Sequence, residues 1–299
     1  MAIPTLSGDD VRCVLKWDAI VGESPLWHLR ERRLYWVDIH GKKVHRFNPD
    51  TGHNETFNLP DLVTCLAFRK NGGLLVTLRK HFVFFDPDTG KLEYLAKVEG
   101  EKPGTRFNDG RVDPQGRFWA GTIGDPDWDA PVGSLYRFDP DQSVTRMCSG
   151  LVCSNGTAWS PDGRTMYHTE SFRYTIFAYD FDEATGSPTN GQAFATVDRA
   201  LGGFPDGLCV DAEGYLWSNH VGSGRVVRYD PSGNIHSQIL LPVPRAVGCM
   251  FGGDDLDTLY ITSARETMTP QQIENAPLSG GIFAVKPGVK GQPAVAYAG

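Results

Sequence analysis

RFNDGRVDPQGRFWAG, residues 106–121, runs from a polar loop (Asn108, Asp109, Gly110) into a short apolar segment, an Asp-Pro-x-Gly turn and an aromatic strand. The frame recurs along the chain. Aligning each turn with the strand after it gives RERRLYWVD (30–38), KNGGLLVTL (70–78), PQGRFWAGT (114–122), PDGRTMYHT (161–169), AEGYLWSNH (212–220) and GDDLDTLYIT (253–262). With Tyr35, Leu75, Phe118, Met166, Leu216 and Leu259 taken as equivalent, successive gaps are 40, 43, 48, 50 and 43 residues. Six units of that size match propeller blades, whose repeats run from about 40 to 50 residues.

Each unit continues into a second signature, an aromatic strand that ends in an Asp-Pro or Gly turn, as in VHRFNPDTG (44–52), FVFFDPDTG (82–90) and VVRYDPSG (226–233). These runs are short, rich in β-branched and aromatic residues and bounded by turn formers, which makes them strands. The reading is an all-β fold: a six-bladed β-propeller of four-stranded antiparallel blades around a central channel, one domain over residues 1–299. Such rings protect their sheet edges by radial packing, often with one strand borrowed from the other terminus. CVLKWDAIV (13–21) is the candidate for that strand, and PQQIENA (270–276) for a single helix inserted in the last blade. Trp36, Trp119, Tyr167, Trp217 and Tyr260 are read as one repeat position, packed between blades.

The composition, 40% hydrophobic and 22% charged over 299 residues with 34 Gly and 20 Pro, suits a large core built of strands and turns. A net charge of -7 without any basic run argues against a nucleic-acid partner, since a phosphate backbone needs clustered Lys and Arg. No run approaches the roughly 18 apolar residues of a membrane helix, and MAIPTLSGDDVRC lacks the features of a secretory signal. The expectation is a soluble, cytoplasmic protein, a monomer or weak homodimer, with no membrane partner. Six scattered cysteines without a CxxC read as free, buried thiols in a reducing compartment.

The repeat also defines a column. Counting back from each turn, Val112 matches Trp27, Phe68, Trp159, Val210 and Phe251; four residues earlier stand Glu23, Thr64, Asn108, Asn155, Asp206 and Val247. The first strand of a propeller blade lines the channel, so these side chains should form a ring at one mouth of it. Asp-Gly and Asn-Gly pairs at 109–110, 155–156 and 206–207 are common turn formers, and any one of them alone could be only that. Their coincidence in one ring points further. Two carboxylates converging on a narrow channel repel one another and lose solvation unless a cation or a proton joins them. Glu23 and Asp206, with the amide oxygen of Asn155, suit a hard divalent ion such as Ca²⁺, Mg²⁺ or Mn²⁺. Three protein oxygens leave room for water or substrate, and Asp206 is also a candidate proton acceptor. Arg106, two residues before Asn108, would present a donor fork at the same mouth.

Other motifs carry less. His220 reads as a packed histidine, Gly222 and Gly224 as a hairpin turn, and Ser24, Ser154 and Ser171 lack the GxSxG elbow of a serine nucleophile.

The stretches GESPLW (22–27), RFNDGRVDPQGRFWAG (106–121), SNGTAWSPDGRTMYHTES (154–171) and PDGLCVDAEGYLWSNHVGSGRVVRYDPSG (205–233) resemble the family of senescence marker protein-30, gluconolactonase and luciferin-regenerating enzyme, which includes regucalcin. The likeness runs over about residues 10–290. It implies a six-bladed propeller with one catalytic divalent ion, bound by residues matching Glu23, Asn155 and Asp206, and sugar-lactone contacts matching Arg106 and Asn108. The implied activity is hydrolysis of aldonolactones to aldonic acids, and the implied ion is Ca²⁺ first, with Zn²⁺, Mg²⁺, Mn²⁺ or Fe²⁺ as alternatives. Where regucalcin-like members carry an acidic residue past the FWAG segment, this chain reads TIGDPDWDAP: Pro126 stands at that position, and Asp125 beside it is the candidate substrate contact. A phosphotriesterase or aryl-esterase, and a non-catalytic calcium-binding propeller, are the rival readings. Polar walls around the ion would favour sugar; aromatic walls would favour an aryl ester.

Overall fold

The protein was analysed as a computed structural model, which describes residues 3–100 and 102–299. Its strands form six antiparallel sheets, each ordered from an innermost to an outermost strand. The inner strands are Gly22–His28, Val63–Phe68, Thr105–Val112, Ser154–Trp159, Phe204–Val210 and Ala246–Gly252, blades 1 to 6. Each touches the next in cyclic order, and the last touches the first, so they surround a common axis. Blade 6 is completed by Arg12–Leu15, which lies antiparallel to Ile282–Val285 with Cys13 opposite Phe283. Segment 13–21 thus supplies the closing strand with its first three residues, while Ala19 is buried in the core between blades 6 and 1. Thr5–Leu6 adds a further strand, parallel, to the outer edge of blade 5.

The inserted helix is Pro270–Asn275. Thr269 and Gln272 cap it reciprocally: Gln272 N donates to Thr269 Oγ1 at 3.3 Å, and Thr269 N to Gln272 Oε1 at 2.8 Å.

Strand register corrects one alignment. Val112 opposes Phe118 and Val210 opposes Leu216, but Trp27 opposes Leu34 and Phe68 opposes Leu74. Leu34 and Leu74 therefore take the place assigned to Tyr35 and Leu75. A slip of one residue turns a side chain to the other face of a strand. Tyr35, not Trp36, shares the position of Trp119, Tyr167, Trp217 and Tyr260. Tyr35 meets Phe68 of blade 2 at 5.2 Å, Trp119 meets Trp159 of blade 4 at 6.0 Å, and Tyr260 stacks on Trp27 of blade 1 at 5.4 Å. Each reaches the following blade. Trp36 faces the preceding one and packs in the cluster that holds Leu15, Ala19 and Ile282.

The acid of the Asp-x-x-Gly turn is structural. Asp113 Oδ2 accepts from Trp119 Nε1 at 2.9 Å and from Arg117 Nε at 2.6 Å; Asp211 Oδ2 accepts from Trp217 Nε1 and Arg228 Nε, both at 2.9 Å. Both carboxylates are wholly buried, so each paired cation and indole N–H offsets a desolvation cost that the turn alone could not.

The final segment crosses one end of the axis. Ala212 N donates to Lys290 O, Tyr297 N to Phe68 O and Ala298 N to Gly116 O, which ties this segment to blades 5, 2 and 3. The Tyr297 ring is buried against Phe138 at 5.4 Å. The cysteines form no disulfide; four are buried, whereas Cys148 is exposed on the outermost strand of blade 3, whose free face meets solvent. No helix among the described residues is long and apolar enough to cross a membrane.

Candidate functional site

In every blade the pairing of the inner strand slips at the same height. The slips fall between Glu23 and Leu26, Val63 and Cys65, Phe107 and Gly110, Asn155 and Thr157, Pro205 and Leu208, and Ala246 and Cys249. All six residues of the predicted column sit at or inside a slip. A bulge releases a residue from the ladder and re-aims its side chain, which turns this column toward the axis.

The Asn-Gly and Asp-Gly pairs at 155–156 and 206–207 are therefore not turns. They lie inside strands, and their glycines are required by close approach. A Cβ on Gly156 would stand 2.6 Å from Asp206 O, and one on Gly207 2.6 Å from Val247 O. Each glycine lets one inner strand abut the backbone of the next blade, which draws the ring residues together.

Glu23, Arg106, Asn108, Asn155 and Asp206 line one cavity. Asn108 is the hinge of a chain of hydrogen bonds. Arg106 Nη1 donates to Asn108 Oδ1 at 2.8 Å, Asn108 Nδ2 donates to Asn155 Oδ1 at 2.8 Å, and Asn155 Nδ2 donates to Ser171 Oγ at 2.8 Å. This chain aims the Asn155 amide oxygen into the ring and leaves one of its lone pairs free. Glu23 Oε2 accepts from Ser24 N at 2.9 Å, and Ser24 is held at a φ of 50° in the bulge. Asp206 Oδ1 is buried and has no partner among the described residues.

Electrostatics sharpen the picture. Burial, then the charges of Asp206 and Asp109, push the Glu23 carboxyl well above its ordinary pKa. Burial, then Asp109, does the same to Asp206. Without a counter-charge, burial and mutual repulsion among these carboxyls favour their protonated forms. An orphaned carboxylate oxygen, a second desolvated carboxyl and an aimed amide oxygen together fit a hard dication. Among the described residues no three His, Cys, Asp or Glu side chains cluster as ligands, so the fit rests on two carboxylates and one amide.

Asp125 is placed otherwise. Its Oδ2 accepts from Arg79 Nη1 at 2.6 Å, outside the lining of the cavity, while Trp128 of the same loop lines it. The ring is completed by Thr64, whose Oγ1 bonds Thr77 Oγ1 at 2.7 Å, and by buried Val247. His220 is buried and meets Tyr229 Oη at 3.3 Å, as a packing residue does. Cavity residues that the column did not supply include Cys153, Phe172, Phe204, Arg245 and Glu266. Three of these had a signal. Cys153, Phe204 and Arg245 stand two residues before Asn155, Asp206 and Val247, as Arg106 stands before Asn108.

A second cavity lies at the far end of the inner strands, under Gln292 to Val295, lined by Leu26, Trp159, Met250 and Phe251. Arg111 is its one charged side chain and no carboxylate faces it. The paired carboxyls and the aimed amide oxygen all belong to the first cavity.

Comparison with known proteins agrees with the fold. The family model described as SMP-30/Gluconolactonase/LRE-like region matches residues 21–265. The 6-deoxy-6-sulfogluconolactonase of Pseudomonas putida is 38% identical over 97% of this chain and 99% of its own. Regucalcin of Danio rerio is 40% identical over 98% of this chain and all of its own. The crystal structure of a calcium-binding protein, regucalcin, from Agrobacterium tumefaciens superposes with a TM-score of 0.93 at 28% identity, covering 99% of both chains.

Proposed function

Since the chain belongs to the SMP-30/gluconolactonase/LRE-like family, we propose that it is a divalent-metal-dependent hydrolase that opens sugar lactones to their aldonic acids. The lactone-hydrolysing character itself is carried by relatives named gluconolactonase and 6-deoxy-6-sulfogluconolactonase. The observation that carries the metal dependence is the ring: two buried carboxyls, Glu23 and Asp206, each pushed well above its ordinary pKa by burial and by the nearby Asp109, beside an aimed amide oxygen, Asn155.

In this reading Glu23, Asn155 and Asp206 hold the ion, which supplies Lewis acidity toward the lactone carbonyl. Arg106 orients the substrate through the guanidinium donors it leaves unused, and Asn108, whose amide N–H groups go to Ser154 O and Asn155 Oδ1, holds Arg106 and Asn155 in place beside it. Asp206, with one oxygen free of any hydrogen bond, takes the proton of the attacking water as the ring ester opens. The product leaves as a carboxylate and an alcohol, so atoms and charge balance with one water consumed and one proton released. Asp125 acts at one remove, by fixing Arg79 at the rim.

Two carboxylates and one amide cannot fill the six to eight oxygen positions a calcium ion takes, which leaves room for water and substrate and favours an enzyme over a closed binding protein. The rival aryl-ester reading has one observation in its favour: Trp128, Phe172 and Phe204 line the cavity. A pH-indicator assay with added divalent ions separates the two. The lactonase reading expects aldonolactones to be hydrolysed with kcat/KM at least 100-fold above that for phenyl acetate or a phosphotriester. The reverse order would establish the rival.

A further inference from the structure

Arg106 and Arg245 occupy the same repeat position, two residues before the ring, in blades 3 and 6. In a six-membered ring those blades are diametrically opposed. Both side chains line the cavity, and both leave donors unused: Arg106 Nε and Arg245 Nε are buried without a hydrogen-bond partner. Arg106 gives only Nη1, to Phe107 O and Asn108 Oδ1. Arg245 makes no side-chain hydrogen bond and no ion pair to any described residue. A guanidinium carries five donors in a planar fork matched to carboxylate, sulfonate or phosphate oxygens. Leaving such forks open at a half-buried wall has a cost that a neutral hydroxyl-bearing ligand would offset poorly.

Charge points the same way. The ionisable groups of the cavity are Glu23, Asp206, Glu266, Arg106 and Arg245. Glu266 stands 3.0 Å from His40 Nε2 and the two arginines form no salt bridge with it. A dication bound by Glu23 and Asp206 would take up those two carboxylates, and Glu266 lies against His40, so neither arginine has a carboxylate partner among the residues that line the cavity.

We infer that the lactone this site takes is an acidic one, carrying a carboxylate, sulfonate or phosphate away from the ring ester, and that Arg245 is the residue that selects it. The inference rests on the lactonase reading for the ester it opens, and on the two arginines for the anion.

The test compares D-glucono-1,5-lactone with the same ring carrying a 6-carboxylate, 6-sulfonate or 6-phosphate, at low and high salt. Wild-type protein is expected to show kcat/KM at least tenfold higher for one of the anionic lactones, mainly through KM, and the preference is expected to shrink with salt. In Arg245→Gln, kcat/KM for that lactone should fall at least ten times further than for the neutral one, with Arg245→Lys in between. Which anion is preferred identifies the group. Equal use of neutral and anionic lactones by the wild type, or an equal loss of both in Arg245→Gln, overturns the inference. Calorimetry with the open-chain acids keeps the two readings apart: tighter binding of D-glucarate than of D-gluconate supports the anion site even where no lactone is hydrolysed, and equal binding refutes it. Loss of calcium affinity in Arg245→Gln, with no change in ligand selectivity, would make Arg245 a support for Asp206 and refute the inference as well.

Discussion

Asp206 is the residue on which the account turns. One of its oxygens is buried without a partner, and burial, then the Asp109 charge, raises its pKa, so neutralising it removes a desolvated, repelled charge along with a candidate ligand. Asp206→Asn should therefore weaken calcium binding at least 100-fold by calorimetry while leaving the ion-free melting temperature equal or higher. A variant that melts lower and still binds calcium would contradict this. Asp211 offers the contrast. Its carboxylate, just as buried, pairs with Arg228 at 2.7 Å and with the Trp217 indole, so Asp211→Ala should cost about 3–5 kcal/mol in a denaturant titration with calcium affinity retained in the folded fraction. Both acids belong to the repeat. The difference between them was legible in the sequence, since Asp211 falls in the turn and Asp206 in the column four residues before Val210. Asp125 was not so legible. Its local sequence gave no sign of the Arg79 partner, 46 residues away, that takes its carboxylate.

At the scale of the element, the bulge in each inner strand is what converts a strand residue into a site residue, and glycine makes the bulges fit. Gly156→Ala would drive a methyl group into Asp206 O. The expected outcome is a loss of about 1–3 kcal/mol, the usual cost of overpacking, together with weaker ion binding because the displaced atom belongs to a ligand's own backbone. A drop in stability with unchanged ion affinity would show that the contact packs the ring without shaping the site. The blades themselves were plain in the sequence: six aromatic strands and six turns stand in the order the repeat gives them, and of the segment 13–21 proposed to close the ring only residues 13–15 pair with the last blade. Their register was less so. In blades 3 to 6 the alignment is right to the residue; in blade 1, which reads RERR, and blade 2, which reads KNGG, it slipped by one. Arg245 escaped because only one column of the repeat was followed, and the column two residues nearer the mouth holds the second set of cavity residues.

For the molecule as a whole, protons act on two separate sets of buried groups. Burial lowers His45 to about 3 and His168 and His220 to about 4, so these histidines are neutral in the folded protein and gain protons on unfolding below their ordinary pKa of about 6.5. Their contribution is full above that value and is lost as the pH falls toward 4, by about 3 kcal/mol from His168 alone. Melting temperature should fall steadily from pH 7 to pH 4.5, and His168→Gln should flatten the slope; a flat profile in the wild type would refute the assignment. The ring carboxyls act in the opposite sense. Glu23 and Asp206, raised in the folded state, favour the protonated protein, so the ion-free form loses stability as the pH rises and a cation restores it. Calcium should thus raise the melting temperature more at pH 7.5 than at pH 5.

Hydrolysis of D-glucono-1,5-lactone by protein stripped with chelator, followed by titration with calcium in a pH-indicator assay, tests the central claim most directly. A metal-dependent lactonase shows no hydrolysis above the spontaneous rate when stripped, saturable recovery with one ion per chain, and no recovery in Asp206→Asn. Full activity in the presence of chelator, with no ion retained, would contradict it.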